Sequence, residues 1–254
     1  MIDTHAHLDG CDERPEELLA RAREAGVGRV ITVGSGIDSC RASLAIADRE
    51  SGVFAALGIH PHQAGGAEAG RVDELVELLG HERAVAVGET GLDFYRDWAP
   101  HDLQRNLFAA QLELAGRVGK PVVIHNRDAD AEIAAALARF DGTVILHCFS
   151  SPALFEAALE HGYYVSFAGN VTFAKADELR EAARRVPADR ILAETDSPYL
   201  APEPRRGRPN EPANVVHTVA ALARVRAEEA AELAAQIDAN ANAAFALPVP
   251  SPAQ

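Results

Sequence analysis

The chain has 254 residues, 48% of them hydrophobic, and a formal net charge of −14. That apolar content is ample for one large core, and the acidic balance argues against a protein that grips duplex nucleic acid through a broad basic surface. Any nucleic-acid role has to act locally, at a metal or a small Arg cluster. No stretch approaches the length of a membrane span, and His5 and His7 interrupt the N-terminus before a secretory leader could form. Three cysteines, Cys11, Cys40 and Cys148, with no C-x-x-C pair among them, argue against a disulfide scaffold and agree with a reducing compartment. The expected protein is soluble and cytoplasmic, with no membrane and no protein partner.

The chain opens on MIDTHAHLDG, an apolar–polar alternation that reads as a strand. Residues i and i+2 of a strand share a face, so His5 and His7 project together, with Asp3 and Asp9 on that side. Residues 15–25 read as a helix, with Pro15 near its start and Gly26 after its end. A β-branched run over 28–34 precedes a helix over 38–51. A buried strand over 53–60, a helix over 72–79 and a strand over 84–89 follow. Residues 102–118 form a long amphipathic helix, with Leu103, Leu107, Leu112 and Leu114 on or near one side. Strands over 121–125, 143–147, 163–167 and 190–195 then alternate with helices over 130–139, 154–161 and 178–186. Two last helical stretches follow Pro212 and end near Phe245.

Eight short apolar strands, each followed by helix, imply a parallel sheet buried on both faces. The expected fold is therefore α/β, a closed (β/α)8 TIM barrel of one domain over residues 1–247, with a Pro-rich tail over 248–254. A doubly wound open sheet is the alternative.

In such a barrel the active site lies at the C-terminal mouths of the strands. The polar residues there are informative. The first strand carries His5 and His7, the third ends in His60 and His62, and the fourth ends in Glu89 with Asp93 beyond. The fifth ends in His125, the sixth in His147 and the eighth in Asp196. Six of the ten histidines thus stand at strand ends. A lone buried histidine is ordinarily a hydrogen-bonded core residue, but six at one mouth beside two carboxylates point to metal. Mixed imidazole and carboxylate donors suit divalent zinc, manganese or magnesium, and their number suffices for two ions. Lys120 opens the fifth strand and Lys175 is distant, so no lysine can bridge two ions from the end of the fourth strand. Glu89 takes that role.

The stretches THAHLD, GIHPH, GETGLDFY, PVVIHNRDAD, LHCFSS and ETDSPYLAPEPRRGRPNEP, with the closing NANAAF, resemble the TatD family of metal-dependent hydrolases, within the amidohydrolase superfamily. The resemblance covers nearly the whole chain in order. It implies a (β/α)8 barrel, one to three divalent metals, and hydrolysis of phosphodiester bonds in DNA, often from the 3′ end. Carried over by position, it implies that His5, His7 and Asp196 hold one metal, that His125 and His147 hold the second, and that Glu89 bridges. It puts His60 and His62 toward the substrate. Departures are small: Asn126 stands where Cys or Ser often follows the strand-five histidine, and Ser151 replaces a usual Gly.

The expected mechanism is attack by a water activated between two ions, with Asp196 orienting it and taking its proton. His60, Arg127 and the run Arg205, Arg206 and Arg208 are candidates to stabilise phosphoryl charge. The expected substrate is a DNA end or a short single strand. Glu194 is read as a neighbour that supports the site. Asp93 and Tyr95 either line the pocket or form a turn. Cys148, next to His147, should point away from the metal face, and Trp98 and Phe94, which could stack on an unpaired base, are assigned to the core. Asp3 and Asp9 are expected to orient the histidines. The same donors would also serve a metal-dependent ester or amide hydrolase, such as a D-aminoacyl-tRNA deacylase or a lactonase. A non-catalytic binding barrel would be marked by loss of a ligand, and none is lost.

Overall fold

Short runs of Val, Ile, Leu and Ala form eight strands in the computed structural model, which describes residues 1–96 and 98–248. They are β1 (Ile2–Ala6), β2 (Arg29–Gly34), β3 (Val53–Leu57), β4 (Ala84–Asp93), β5 (Val122–Arg127), β6 (Val144–Leu146), β7 (Tyr164–Phe167) and β8 (Ile191–Ala193). All neighbouring pairs are parallel, in the order β1 to β8. The connecting helices are α1 (Pro15–Glu24), α2 (Ile37–Arg49), α3 (Val72–Leu79), α4 (His101–Val118), α5 (Asp130–Leu137), α6 (Pro152–His161) and α7 (Asp177–Arg185). The helices α8 (Val215–Arg226) and α9 (Ala230–Phe245) follow β8. This is the expected single-domain (β/α)8 barrel, not an open sheet. Residues 249–254 of the expected tail lie outside the described residues. Among the described residues, no helix is long and apolar enough to cross a membrane.

The ring closes where β1 meets the end of β8. Ala6 pairs with Ser197, the Asp196 amide donates to the His5 carbonyl at 2.9 Å, and the His7 amide donates to the Ser197 carbonyl at 2.7 Å. Asp3 fastens the same seam. Its buried carboxylate accepts the Thr195 hydroxyl at 2.6 Å, the Thr195 amide at 2.9 Å and the His5 amide at 3.3 Å. Asp3 therefore joins strands and does not orient imidazoles, contrary to expectation. Asp9 is exposed and accepts the Ser39 hydroxyl, so it too leaves the histidine rings alone.

Strand ends differ from the sequence reading where polar residues and glycine break an apolar run. β3 stops at Leu57, which leaves GIHPH in a loop. β4 runs on past Glu89 to Asp93, because β5 also extends to Arg127 and the two continue to pair: Thr90 with Ile124, Gly91 with His125, Asp93 with Arg127. Between Val87 and Thr90 the register slips by one residue relative to Val122 and Ile124, a bulge that re-aims the intervening Glu89. Gly91 follows at φ +143°, and a Cβ there would come within 2.0 Å of the His125 carbonyl oxygen. Only glycine allows β4 and β5 to meet at this point.

Helix α4 buries Leu107, Phe108, Leu112 and Leu114, whereas Leu103 sits at the border of that face, 39% exposed. On the buried side stand two glutamines seven residues apart, two turns on one face. Gln111 accepts the Ile59 amide at 2.8 Å and donates to the Ile59 carbonyl at 2.9 Å and the Thr90 hydroxyl at 2.7 Å. Gln104 accepts the Asp93 amide at 2.9 Å and donates to the Asp93 carbonyl at 3.0 Å. One helix thus pins the loop that carries His60 and the end of β4.

Burial pushes the Asp3 carboxyl up to about 8, against the lowering effect of its bonds from Thr195 and His5. A carboxyl raised in the folded state stabilises the fold in its protonated form, and that contribution is lost as pH climbs from about 4 through about 8. Asp3→Asn keeps the acceptor and places a donor beside the Thr195 hydroxyl. Thermal melts in EDTA should therefore find variant and wild type close at pH 5 and the variant the more stable at pH 9; a variant equally destabilised at both would refute this.

Candidate metal centre

Five imidazoles and two carboxylates converge at the C-terminal ends of the strands. Glu89, 3% exposed, is the hub. Its Oε1 lies 2.7 Å from His125 Nδ1, 2.9 Å from His147 Nε2 and 3.5 Å from His60 Nε2. Its Oε2 lies 3.6 Å from His5 Nε2 and 3.5 Å from His7 Nε2. Those two nitrogens are 3.3 Å apart and stand 3.8 and 3.6 Å from Asp196 Oδ1. Three triads have donor atoms within 4.8 Å of one another: His5, Glu89 and His147; His5, His7 and Asp196; His60, Glu89 and His125. The sequence-predicted ligands all come together, and His60 joins them.

Outer hydrogen bonds fix which nitrogen faces inward in four of the five rings; His5 Nδ1 is buried without a partner. His7 Nδ1 meets the Val33 carbonyl at 3.2 Å, so it carries the proton and Nε2 presents a lone pair. His147 Nδ1 meets Glu194 Oε1 at 3.0 Å and leaves Nε2 for the centre. His125 Nε2 meets Asp93 Oδ2 at 3.3 Å, which turns Nδ1 inward. His60 is the exception. Its Nδ1 accepts the His62 amide at 3.2 Å, so the neutral ring carries its proton on Nε2, toward Glu89. His60 is built to donate a hydrogen bond more than to coordinate.

This donor set fits a divalent cation. Lone pairs of imidazole and carboxylate are crowded together, which is costly unless positive charge sits among them. Burial would raise the Glu89 carboxyl, but the imidazoles around it, His147 first, hold it well below the usual carboxylate range. Burial would lower His147, yet Glu89 and Glu194 raise it well above the ordinary imidazole value. Burial, the first cause, pushes His60 down to about 4 despite Glu89.

Glu194 stands behind the centre, 1% exposed. Besides His147 it accepts the Cys148 amide at 2.7 Å and the Ser166 hydroxyl at 2.5 Å. Asp93 has both roles that the sequence left open: it accepts His62 Nε2 at 2.7 Å and also the amides of Tyr95 and Arg96 at 3.1 and 2.9 Å. Cys148 corrects an expectation. The backbone turns to φ +43° just past β6, which breaks strand alternation, so the residue lines the mouth with His147 instead of pointing away. Trp98 is also not core: it is 65% exposed at the mouth, whereas Phe94 packs against the core and stacks on His101. Ser151 sits at φ −121°, an angle any residue adopts, so the backbone there does not require Gly.

A cavity of about 790 Å³ opens over the cluster, and His62, Arg127 and Asn126 line it. Arg205 does not reach it. Asn210 ties the base of the loop after β8 to the carbonyls of Thr195 and Tyr199, which leaves Arg205, Arg206 and Arg208 exposed on the loop and puts Arg206 over the Phe173 ring at 3.8 Å. The cation that sequence reading missed is Arg96, which lines the cavity from the loop after β4. A larger cavity of about 1100 Å³ lies on the outside between α4, α5 and the end of α9, away from the converging donors.

Barrel and cluster together define a (β/α)8 protein with a divalent-metal type of donor set at its catalytic mouth. The family model described as TatD related DNase matches residues 2–246. An uncharacterized metal-dependent hydrolase TatD of Mycobacterium tuberculosis is 41% identical, over 97% of this chain and 98% of its own. A 3′-5′ ssDNA/RNA exonuclease TatD of Klebsiella pneumoniae is 37% identical, over 92% of each. The crystal structure of YJJV, a TatD homolog from Escherichia coli K12, superposes with a TM-score of 0.90 at 31% identity and 98% coverage of both chains. The chain belongs to the TatD family of metal-dependent hydrolases.

Glu194→Gln preserves a hydrogen bond to His147 but removes the negative charge behind it. Titration calorimetry with Zn or Mn should show affinity weakened about 10- to 100-fold, the size typical of partners behind a ligand. Unchanged affinity would mean that Glu194 serves only the fold.

Proposed function

We propose that the chain is a phosphodiesterase that removes nucleotides from the 3′ end of single-stranded DNA or RNA in the cytoplasm. The observation that carries this reading is Glu89, shared by two of the three donor triads, beneath an open cavity with two arginines on its wall. The names of relatives such as the Klebsiella exonuclease support the substrate class, and three free cysteines support the compartment.

His5, His7 and Asp196 would hold one ion, and His125 and His147 a second, with Glu89 between. Bound divalent ions supply an acidified water and neutralise charge on phosphoryl oxygens. The residues do the rest. Asp196 is buried but faces the cavity, and its φ of +55° aims the carboxylate inward from the end of β8. Burial would raise its pKa, but the neighbouring imidazoles of His7, His147 and His5 lower it, so it is ionised and can take the proton of the attacking water on Oδ. His60 presents Nε2–H toward the same centre, and Arg127 and Arg96 face the cavity as cations for the phosphate.

A second reading, hydrolysis of a carbonyl ester or amide, is favoured by one observation, the net charge of −14, which suits a small or neutral substrate. Purified protein supplied with Mg, Mn or Zn should degrade 3′-labelled single-stranded DNA or RNA faster than it hydrolyses a D-aminoacyl-tRNA or a lactone panel. The reverse ranking would replace the first reading by the second. Asp196→Asn should cost about 10²–10⁴-fold in kcat, with metal content by plasma emission largely kept. A variant that retains activity would remove Asp196 as the base.

A further inference from the structure

Five large apolar side chains are exposed among the described residues, and three are aromatics around one opening: Tyr95, Trp98 and Tyr199. Trp98 and Tyr199 line the mouth cavity, and Tyr95 lies beside it beneath Arg127, whose guanidinium is 4.0 Å from the ring centre. Leaving an aromatic in water forgoes a large burial gain. Here the rings are spent at a single place, directly over the donor cluster.

Their positions are complementary. Trp98 follows β4 and Tyr199 follows β8, strands four places apart in a ring of eight, so the two rings rise from opposite sides. Each meets a histidine of the mouth. Trp98 meets His62 at 4.4 Å between ring centres, and Tyr199 meets His7 at 6.1 Å, both roughly edge to face. Arg96 lies 5.4 Å from the Trp98 ring centre, a cation beside the stacking surface. A phosphodiester held over Glu89 and Asp196 would have an aromatic surface on either flank, where the bases of the adjoining nucleotides lie.

Charge removes the usual alternative. With a net charge of −14 the chain cannot hold a polyanion through a general basic field, so local contacts must supply affinity. Stacking on aromatic rings does so for any base, but only for bases out of the duplex stack. We infer that Trp98 and Tyr199 form a two-sided stacking subsite for unpaired nucleobases, and that this subsite selects single-stranded ends. The inference rests on the phosphodiesterase reading for its biological setting, but its binding test is independent of catalysis.

Trp98 is the one tryptophan of the chain, so its fluorescence reports this wall alone. In EDTA, the full chain is titrated with octathymidylate, an abasic oligonucleotide of equal length, and a blunt hairpin duplex. Octathymidylate should quench the emission at about tenfold lower concentration than the other two. With divalent metal supplied, Trp98→Ala and Tyr199→Ala should each raise KM for single-stranded DNA about 5- to 150-fold, with a far smaller change in kcat, and Trp98→Phe should recover most of the loss. Turnover of single strands with no quenching and unchanged KM in both alanine variants overturns the subsite and leaves the phosphodiesterase standing. Selective quenching without turnover of any nucleic acid supports the subsite and overturns the phosphodiesterase. Neither quenching nor turnover overturns both.

Discussion

Glu89 is an ionised carboxylate kept almost wholly out of water, and much of the architecture follows from making that tolerable. An isolated buried carboxylate neutralises itself or unfolds its surroundings. Here imidazoles from β1, β5 and the loops after β3 and β6 surround it at 2.7–3.6 Å. Bringing so many strands' ends to one carboxylate requires a closed ring, because an open sheet cannot present its first and sixth strands to the fourth. It also requires the bulge in β4, which turns Glu89 inward where a regular register would not.

That arrangement needs rigid backing, and most of it is polar. Gln104 and Gln111 hold β4 and the His60 loop from the helix side, Asp3 holds the seam that carries His5 and Asp196, and Glu194 holds His147. Each satisfies backbone groups that the loops at the mouth would otherwise leave unpaired in the interior. The acidic composition is thus partly a local necessity. Glu89, Asp93, Glu194 and Asp196 stand within one site, where they orient rings and attract cations.

The barrel and the donor cluster were legible in the sequence because both depend on short-range pattern. Apolar runs alternating with amphipathic stretches gave the eight units, and histidines at strand ends gave the convergence. What escaped depended on contacts between distant strands. Asp3 looks like a partner of His5 because it shares its strand face, but its actual partner, Thr195, is visible only once the ring closes. TGLD after Glu89 reads as a loop, yet pairing with β5 makes it strand. The two glutamines are two polar positions on an otherwise apolar helix face, a signal that could have been read. Strand alternation and hydrophobicity misplace Cys148 and Trp98, because both lie past the point where the backbone turns away from its strand.

The inward-facing nitrogens show how closely the surroundings decide the role of chemically identical side chains. His7, His125 and His147 each meet an acceptor with their outer nitrogen, a carbonyl in one case and a carboxylate in two, and that acceptor leaves the inner nitrogen as the one that can present a lone pair. His60 meets a backbone amide instead, and the same logic forces a proton inward. Proximity places all four around Glu89, so distance alone would make them equivalent. Hydrogen-bond polarity separates them into three groups suited to holding a cation and one suited to donating to an oxygen that gains charge. The difference originates in the loop Gly58–His62, which bends back so that the residue after Pro61 offers its amide to His60. On the proposed reaction, such a layer of side chains would offer both groups to hold a water-activating cation and one proton-bearing imidazole to donate to the oxyanion.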